Sequence, residues 1–339
     1  MHSEQFQQSL PLKEALEQAQ KIAIFGHQSV DGDALGSMFG LGRQLEKMGK
    51  QVSYFTPDFP SEQFDFIGLE NLQTEFDYGE YDLLVLVDMA HPYRMEAYYQ
   101  GHESYFQTEN MVIIDHHLPD IIKDDEEPLK TSLIFRDATC ISNSEIIFEL
   151  TSQWRDLIDP EIATVLYMGI VTDSGNFCHD EGDESIRVMQ DAVRLLELWA
   201  NKQAVVLNVL RSRSIDEIKF MQKIIDKLQM DSGIFYSRYT KEEVESAWIH
   251  LAKAEYALSI MCEIKEGDLF ILWKEKPEGG SMKFSLRGRG KYNCRDLSAH
   301  FGGWGHFNAA WCSIDFTWSA EDAVKEFIEK IKSLMGNSH

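Results

Sequence analysis

Three histidines and five aspartates lie in four short segments of this sequence, and their types suit divalent-cation chemistry. The first is Phe25-Gly26-His27-Gln28-Ser29-Val30-Asp31-Gly32-Asp33, with His27, Asp31 and Asp33 on one turn. The second is Leu86-Val87-Asp88. The third, Val112-Ile113-Ile114-Asp115-His116-His117, runs three β-formers into an acid and two imidazoles. The fourth is Gly169-Ile170-Val171-Thr172-Asp173-Ser174-Gly175. In each, a carboxylate or imidazole falls at the C-terminal end of an expected apolar strand or in the turn after it. Taken singly, Asp31-Gly32-Asp33 reads equally well as a solvated turn, and Asp88 or Asp173 as a helix N-cap.

The elements that must position these residues alternate between strand and helix. Lys21–Phe25, Gln51–Phe55, Tyr81–Asp88 and Met111–Asp115 read as strands. Residues 12–20, 34–48, 142–153 and 160–171 read as helices. The strands are continuously apolar rather than alternating, which predicts a parallel sheet covered on both faces. All strand ends of such a sheet point to one edge, so the four segments should converge there. Four or more carboxylates in one crevice would repel one another or take up protons unless cations neutralise them. Two divalent metals would do so, and mixed Asp/His ligation without cysteine favours Mn²⁺, with Mg²⁺, Co²⁺ or Zn²⁺ as competitors.

Beyond residue 184 the pattern changes. Two long helices are expected over 184–200 and 214–230. Shorter strands follow around Ile234–Tyr236, Leu269–Trp273, Met282–Leu286 and Trp311–Phe316, with a terminal amphipathic helix over 320–335. The fold class expected is α/β: an N-terminal parallel-sheet domain over 1–200, a helical linker over 201–230, and a smaller mixed-sheet α/β domain over 231–339.

Composition narrows the function. With 56 acidic against 32 basic residues the net charge is −24. A protein that coats long nucleic acid needs a basic field, so long duplexes are excluded as partners and any nucleic acid should be short. The longest apolar runs are strand-sized, so no membrane partner is expected. Five scattered cysteines without a C-x-x-C pair point to reduced thiols in a cytoplasm.

The order H-x-x-x-D-x-D, a strand-end Asp, D-H-H and G-I-x-T-D-S-G resembles the DHH phosphoesterase superfamily. Ser285-Leu286-Arg287, followed by Phe301-Gly302-Gly303-Trp304-Gly305-His306, is similar to the glycine-rich motif of its DHHA1 domain. Within the superfamily the two-domain build most resembles the nanoRNase/pAp-phosphatase group. The resemblance implies a two-metal phosphoesterase that trims short oligoribonucleotides to mononucleotides, or converts 3′-phosphoadenosine 5′-phosphate (pAp) to AMP. Phosphodiesterase action on linear or cyclic dinucleotides (pApA, c-di-AMP) is the alternative. A manganese pyrophosphatase and an inactive nucleotide-binding protein are more distant ones.

Carried over by position, the resemblance gives His27, Asp31 and Asp88 to one metal and Asp33, Asp88, His116 and Asp173 to the other, with Asp88 bridging. It makes His117 the residue that faces the substrate, with Asp115 supporting a histidine or a neighbouring backbone group. Arg287, Gly302, Gly303, Gly305 and His306 would bind substrate. Arg289, Lys291 and Arg295 complete a basic patch, of which Lys291 reads best as a solvated charge. Trp304 stands where a third glycine is usual. A positive φ there would strain it; its ring would either stack on a base or pack internally. The reading leaves room for a homodimer.

Overall fold

The apolar runs fold as strands because β-branched and large apolar side chains can bury both of their faces only inside a covered sheet. The protein is described by a computed structural model covering residues 3–89, 91–117, 131, 133–178, 183–247, 249, 254–276, 280–305, 307–317 and 319–336. It divides into two compact units, Met1–Ser212 and Arg213–His339.

In the first unit the elements run α1 (Ser3–Gln18), β1 (Lys21–Phe25), α2 (Gly32–Lys47), β2 (Gln51–Phe55), β3 (Leu72–Gln73), β4 (Leu83–Val87), β5 (Met111–Asp115), β6 (Leu133–Arg136), α3 (Asn143–Leu150), α4 (Pro160–Asp173) and α5 (Asp183–Glu197). Six strands form one parallel sheet in the order β3-β2-β1-β4-β5-β6. Alternate residues enter two separate cores. Ile22, Ile24, Val85, Val87, Val112 and Ile114 face one; Ala23, Phe25, Leu84, Leu86, Met111 and Ile113 face the other. The doubly covered parallel sheet expected from the sequence is therefore present.

Strand order reverses between β1 and β4, so the chain leaves these two neighbours in opposite directions and opens a crevice at their C-terminal ends. Helices α2 and α4 close one side of it. A Cβ on Gly169 would stand 1.9 Å from Ser144 Oγ and 2.9 Å from Asp33 Oδ1. One on Gly36 would stand 2.7 Å from the Val165 carbonyl oxygen. Two glycines thus let the helices approach closely enough to bring the first turn of α2 to the last turn of α4.

The second unit holds α6 (Ile215–Asp226), β7 (Gln229–Asp231), β8 (Ile234–Arg238), β9 (Leu269–Glu275), β10 (Ser281–Gly288), α7 (Cys294–Ala299), β11 (Trp304–Gly305), β12 (Ala309–Asp315) and α8 (Ala320–Gly336). Its sheet order is β11-β12-β10-β9-β8-β7. Only β8 and β9 pair in parallel, so the sheet is mixed. Phe327, Ile328 and Ile331 of α8 cover one face and Phe220, Met221 and Ile224 of α6 the other.

Three sequence expectations need correction. The helix expected over 214–230 stops at Asp226, and Gln229–Asp231 pairs with β8 instead. The helix expected over 142–153 ends at Leu150 and continues as a 3-10 turn over Ser152–Leu157. Strand β6 was not anticipated, because Leu-Ile-Phe-Arg is too short to stand out from its surroundings. No helix among the described residues is long and apolar enough to cross a membrane.

Candidate metal centre

Each segment reaches the crevice by a different local device. Asp31 caps α2: its Oδ1 accepts from the backbone N–H groups of Asp33 (3.0 Å) and Ala34 (3.1 Å). The capping reading and the ligand reading therefore hold together, since Asp31 Oδ2 remains 4.0 Å from His27 Nε2. His27 Nδ1 lies 2.8 Å from the Gln28 carbonyl, which selects the Nδ1–H tautomer and leaves Nε2 toward the carboxylates. Asp33, in the first turn of α2, is buried. Its oxygens accept from the Asn143 and Ser144 N–H groups at the start of α3, at 2.6 and 2.8 Å.

Asp88 follows β4 in the left-handed region, at φ 57. A non-glycine residue there carries strain of roughly 1 kcal/mol or more, and such residues cluster at functional sites. Its carboxylate is buried and central. Oδ2 is 3.6 Å from His27 Nε2, and Oδ1 is 3.3 Å from His116 Nε2 and 3.7 Å from His117 Nδ1. Despite these neighbours, Asp88 Oδ1 has no hydrogen-bond partner of proper geometry among the described residues.

His116 Nδ1 stands 3.3 Å from the Cys140 carbonyl. Its Nε2 faces Asp33, Asp88 and Asp173 at 3.9, 3.3 and 3.4 Å. Asp173 corrects the expectation that every segment ends a strand, for it is the last residue of helix α4. The run Gly-Ile-Val-Thr looks strand-like by composition, but it continues the helix begun at Pro160 and is brought to the crevice by the Gly36–Gly169 approach.

Asp115, at the end of β5, is fully buried. Its Oδ1 accepts from the His117 N–H (3.2 Å) and is 2.8 Å from His117 Nδ1, while Oδ2 is 3.2 Å from Arg136 Nε. Arg136 was missed by sequence reasoning. Its only signal was a lone arginine after three apolar residues.

The electrostatics express the crowding. Burial pushes the Asp33 carboxyl up, with help from the Asp88 charge, to about 7. Burial also raises Asp173 well above the carboxylate range. For Asp88 burial acts upward too, but the facing imidazoles of His116 and His27 outweigh it and hold the group below its ordinary value. For His27 burial works against protonation, yet Asp88 and Asp31 raise it to about 9.

Three sets of side chains have ligand atoms within 4.8 Å of one another: His27, Asp31 and Asp88; Asp33, His116 and Asp173; and Asp88, His116 and His117. The six residues expected to hold metals are thus brought together, and Asp88 belongs to two sets. Carboxylate and imidazole donors, a central carboxylate oxygen without a hydrogen bond and two carboxyls with raised proton affinity all fit divalent cations.

The second-unit candidates are placed differently. Gly303 packs against β12, where a Cβ would stand 2.2 Å from the Trp311 carbonyl oxygen. Gly305, at φ +150, would put one 2.4 Å from the Ala309 carbonyl oxygen. Gly302, at φ +69, has nothing within 4 Å of that position. Trp304 sits in extended β11 opposite Trp311, so the strain considered for it does not arise. His306 lies outside the described residues. Arg287, on β10 between Phe270 and Ala309, donates from Nη1 to the Leu286 carbonyl at 2.9 Å. Lys291 is taken up by an exposed ion pair with Asp268 at 2.6 Å.

A doubly covered parallel sheet with an Asp/His cluster at its switch point, of a kind that fits cations, characterises the first unit. Residues 21–170, within the first unit, match the model described as "DHH family, N-terminal domain". Over 318 residues the chain is 26% identical to the bifunctional oligoribonuclease and PAP phosphatase NrnA of Mycoplasma genitalium, covering 94% of this chain and 96% of that protein. It is 25% identical to the cyclic-di-AMP phosphodiesterase GdpP of Geobacillus thermodenitrificans, covering 94% of this chain but 48% of that one. Among solved structures, an exopolyphosphatase-related protein from Bacteroides fragilis superposes with a TM-score of 0.81 at 23% identity, over 97% of both chains.

Proposed function

We propose that this protein is a two-metal phosphoesterase, with Mn²⁺ as the working ion, that hydrolyses short oligoribonucleotides to mononucleotides and pAp to AMP in the cytoplasm. The observation that carries the reading is a chain of three Asp/His sets, two sharing Asp88 and two sharing His116. Likeness to a relative named as oligoribonuclease and PAP phosphatase over nearly the whole of both chains supports the substrate class. Bound divalent cations supply positive charge to phosphoryl oxygens and acidify a coordinated water.

The chain's own residues do the rest. His27, Asp31 and Asp88 hold one cation; Asp33, Asp88, His116 and Asp173 hold the second. The hydrogen bonds from Asn143 and Ser144 fix Asp33, and the Gln28 and Cys140 carbonyls fix the tautomers of His27 and His116. His117 protonates the leaving oxygen, supported by Asp115. The second unit, Arg213–His339, serves as the substrate-binding domain, with the helix expected to be a linker packed into it as α6. There Arg287, Gly302 and His306 contact the substrate's phosphates, while Gly303 and Gly305 shape the loop. A second reading, hydrolysis of linear or cyclic dinucleotides, is favoured by the GdpP relative.

Turnover with Mn²⁺ on pAp, pApA and RNAs of increasing length tests the proposal, with Asp88→Ala alongside. Preference for the shortest RNAs and for pAp, abolished by Asp88→Ala, is expected. Preference for pApA moves the protein to the second reading, and absence of cation-dependent cleavage overturns both.

A further inference from the structure

We propose that Arg136 is a positioning residue for leaving-group protonation: it holds Asp115 so that His117 is kept out of the cation cluster and acts as a proton donor. The proposal rests on the reading of His117 given above. Parallel pairing of β5 and β6 sets Asp115 directly beside Arg136, so register alone delivers the arginine to the sheet edge. There the two oxygens of a fully buried carboxylate take different tasks. Oδ2 accepts from Arg136 Nε, and Oδ1 from the His117 N–H and ring.

Two contacts of His117 Nδ1 compete among the described residues. Its Nδ1 lies within the set formed with Asp88 and His116 and could serve as a ligand atom. It is, however, 2.8 Å from Asp115 Oδ1 and 3.7 Å from Asp88 Oδ1, and that difference commits it to Asp115. With the Nδ1–H given to Asp115, Nε2 is the nitrogen that can take a proton from solvent and pass it to the leaving oxygen.

A buried carboxylate with one oxygen unpaired would turn or take up a proton, since leaving it unsatisfied costs the desolvation of that group. Arg136 keeps Oδ2 paired and so opposes the turn, while against burial His117 and His116 hold the carboxyl below its usual value. In the step itself a P–O bond forms to water and the P–O bond to the leaving oxygen breaks. The departing electron pair takes the Nε2 proton, leaving His117 as the neutral Nδ1–H tautomer. The attacking water releases one proton to solvent, and one proton from solvent restores His117 Nε2.

The leaving group reports on this step. A dinucleotide leaves as a ribose alkoxide that needs a proton; a nucleoside p-nitrophenyl phosphate leaves as a stabilised phenolate that does not. Arg136→Ala is expected to lower kcat on pApA by about 10–100-fold, the usual effect of an outer-shell partner. On the p-nitrophenyl ester it should stay within about threefold, with KM little changed on both. His117→Ala should show the same selectivity, more strongly. Arg136→Lys, which keeps the charge without the fork, should restore part of the loss, and it carries the test if Arg136→Ala does not fold.

Equal losses on both substrates for the Arg136 variants, with selectivity retained in His117→Ala, overturn the role of Arg136 alone. Equal losses in His117→Ala overturn the reading of His117 itself. A readout without metal or turnover stands beside these. Nitrogen NMR of the neutral His117 ring should show Nδ1–H in the unaltered protein and a mixture of tautomers in Arg136→Ala; the same single tautomer in both overturns the proposal.

Discussion

The edge of the first sheet and the loop before β12 are both dense in short motifs, yet they are assembled for different reasons. At the sheet edge, packing opposes the arrangement: the carboxyls of Asp33 and Asp173 are pushed up by burial and neighbouring charge, and Asp88 adopts a backbone conformation that favours glycine. In the loop, packing explains most of the arrangement, because Gly303 and Gly305 leave no room for a Cβ against β12. Residues held together against their own repulsion point to a ligand. Residues that merely fit do not.

Asp88 is where this contrast can be broken most sharply. Asp88→Gly relieves the positive φ, worth about 1 kcal/mol, and removes one carboxylate from a crowded site. Metal-free, the variant also loses the carboxylate that His27 and His116 face, so it should melt lower than the unaltered protein. In cation-dependent turnover it should lose on the order of 10³-fold or more, at or above the effect of a single electrostatic contact. Paired thermal melts and rate measurements check this. Turnover that survives at a temperature where the variant is folded would place Asp88 among the structural residues, like Gly303.

The crowding has a pH signature of intermediate size. Asp33, raised by burial to about 7, binds a proton in the folded chain that the unfolded chain has released above its ordinary value near 3.8. His27, raised to about 9 by Asp88 and Asp31 against burial, does the same between about 6.5 and 9. The folded state holds more protons in both windows, so stability falls as pH rises through them. Asp88, held below its ordinary value, acts only at more acid pH. Metal-free protein should therefore lose roughly 5 °C or more in melting temperature from pH 5 to 9. Added Mn²⁺ should restore it, increasingly toward high pH. Melting that is flat with pH in the absence of metal would show that the carboxylates do not repel one another as their distances imply.

The sequence made the first unit legible because its signals coincide: apolar strands, polar residues at their ends and a topology that points every end one way. What it withheld are features produced by tertiary contact. Arg136 needed the β5–β6 register, which four residues cannot announce. The helix expected over 160–171 is present and ends at Asp173, so this segment reaches the crevice from the end of a helix rather than, as the four-segment pattern suggested, from a strand. Asn143 and Ser144 serve Asp33 through their backbone N–H groups, which no side-chain motif encodes. In the second unit the glycine cluster was visible, but composition does not distinguish a cradle from close packing.

That last ambiguity yields to the smallest effect. A methyl at Gly303 meets the backbone oxygen of Trp311 and Cys312 Cβ at 2.2 and 2.5 Å, so β11 must shift away from β12. At Gly302 a methyl meets nothing, and only the φ of +69 resists it. Gly303→Ala should therefore cost about 2–3 kcal/mol of second-unit stability, in the range of overpacking. Gly302→Ala should cost about 1 kcal/mol, the penalty of the left-handed conformation. Both alanines keep the backbone N–H, so turnover at a temperature where each variant is folded should fall for Gly303→Ala, whose loop is displaced, and hardly at all for Gly302→Ala. Denaturant unfolding and rates measured side by side decide the matter. Equal penalties would mean that crowding against β12 is not what keeps glycine at 303, and the loop would join the sheet edge as a site whose residues are explained by a ligand.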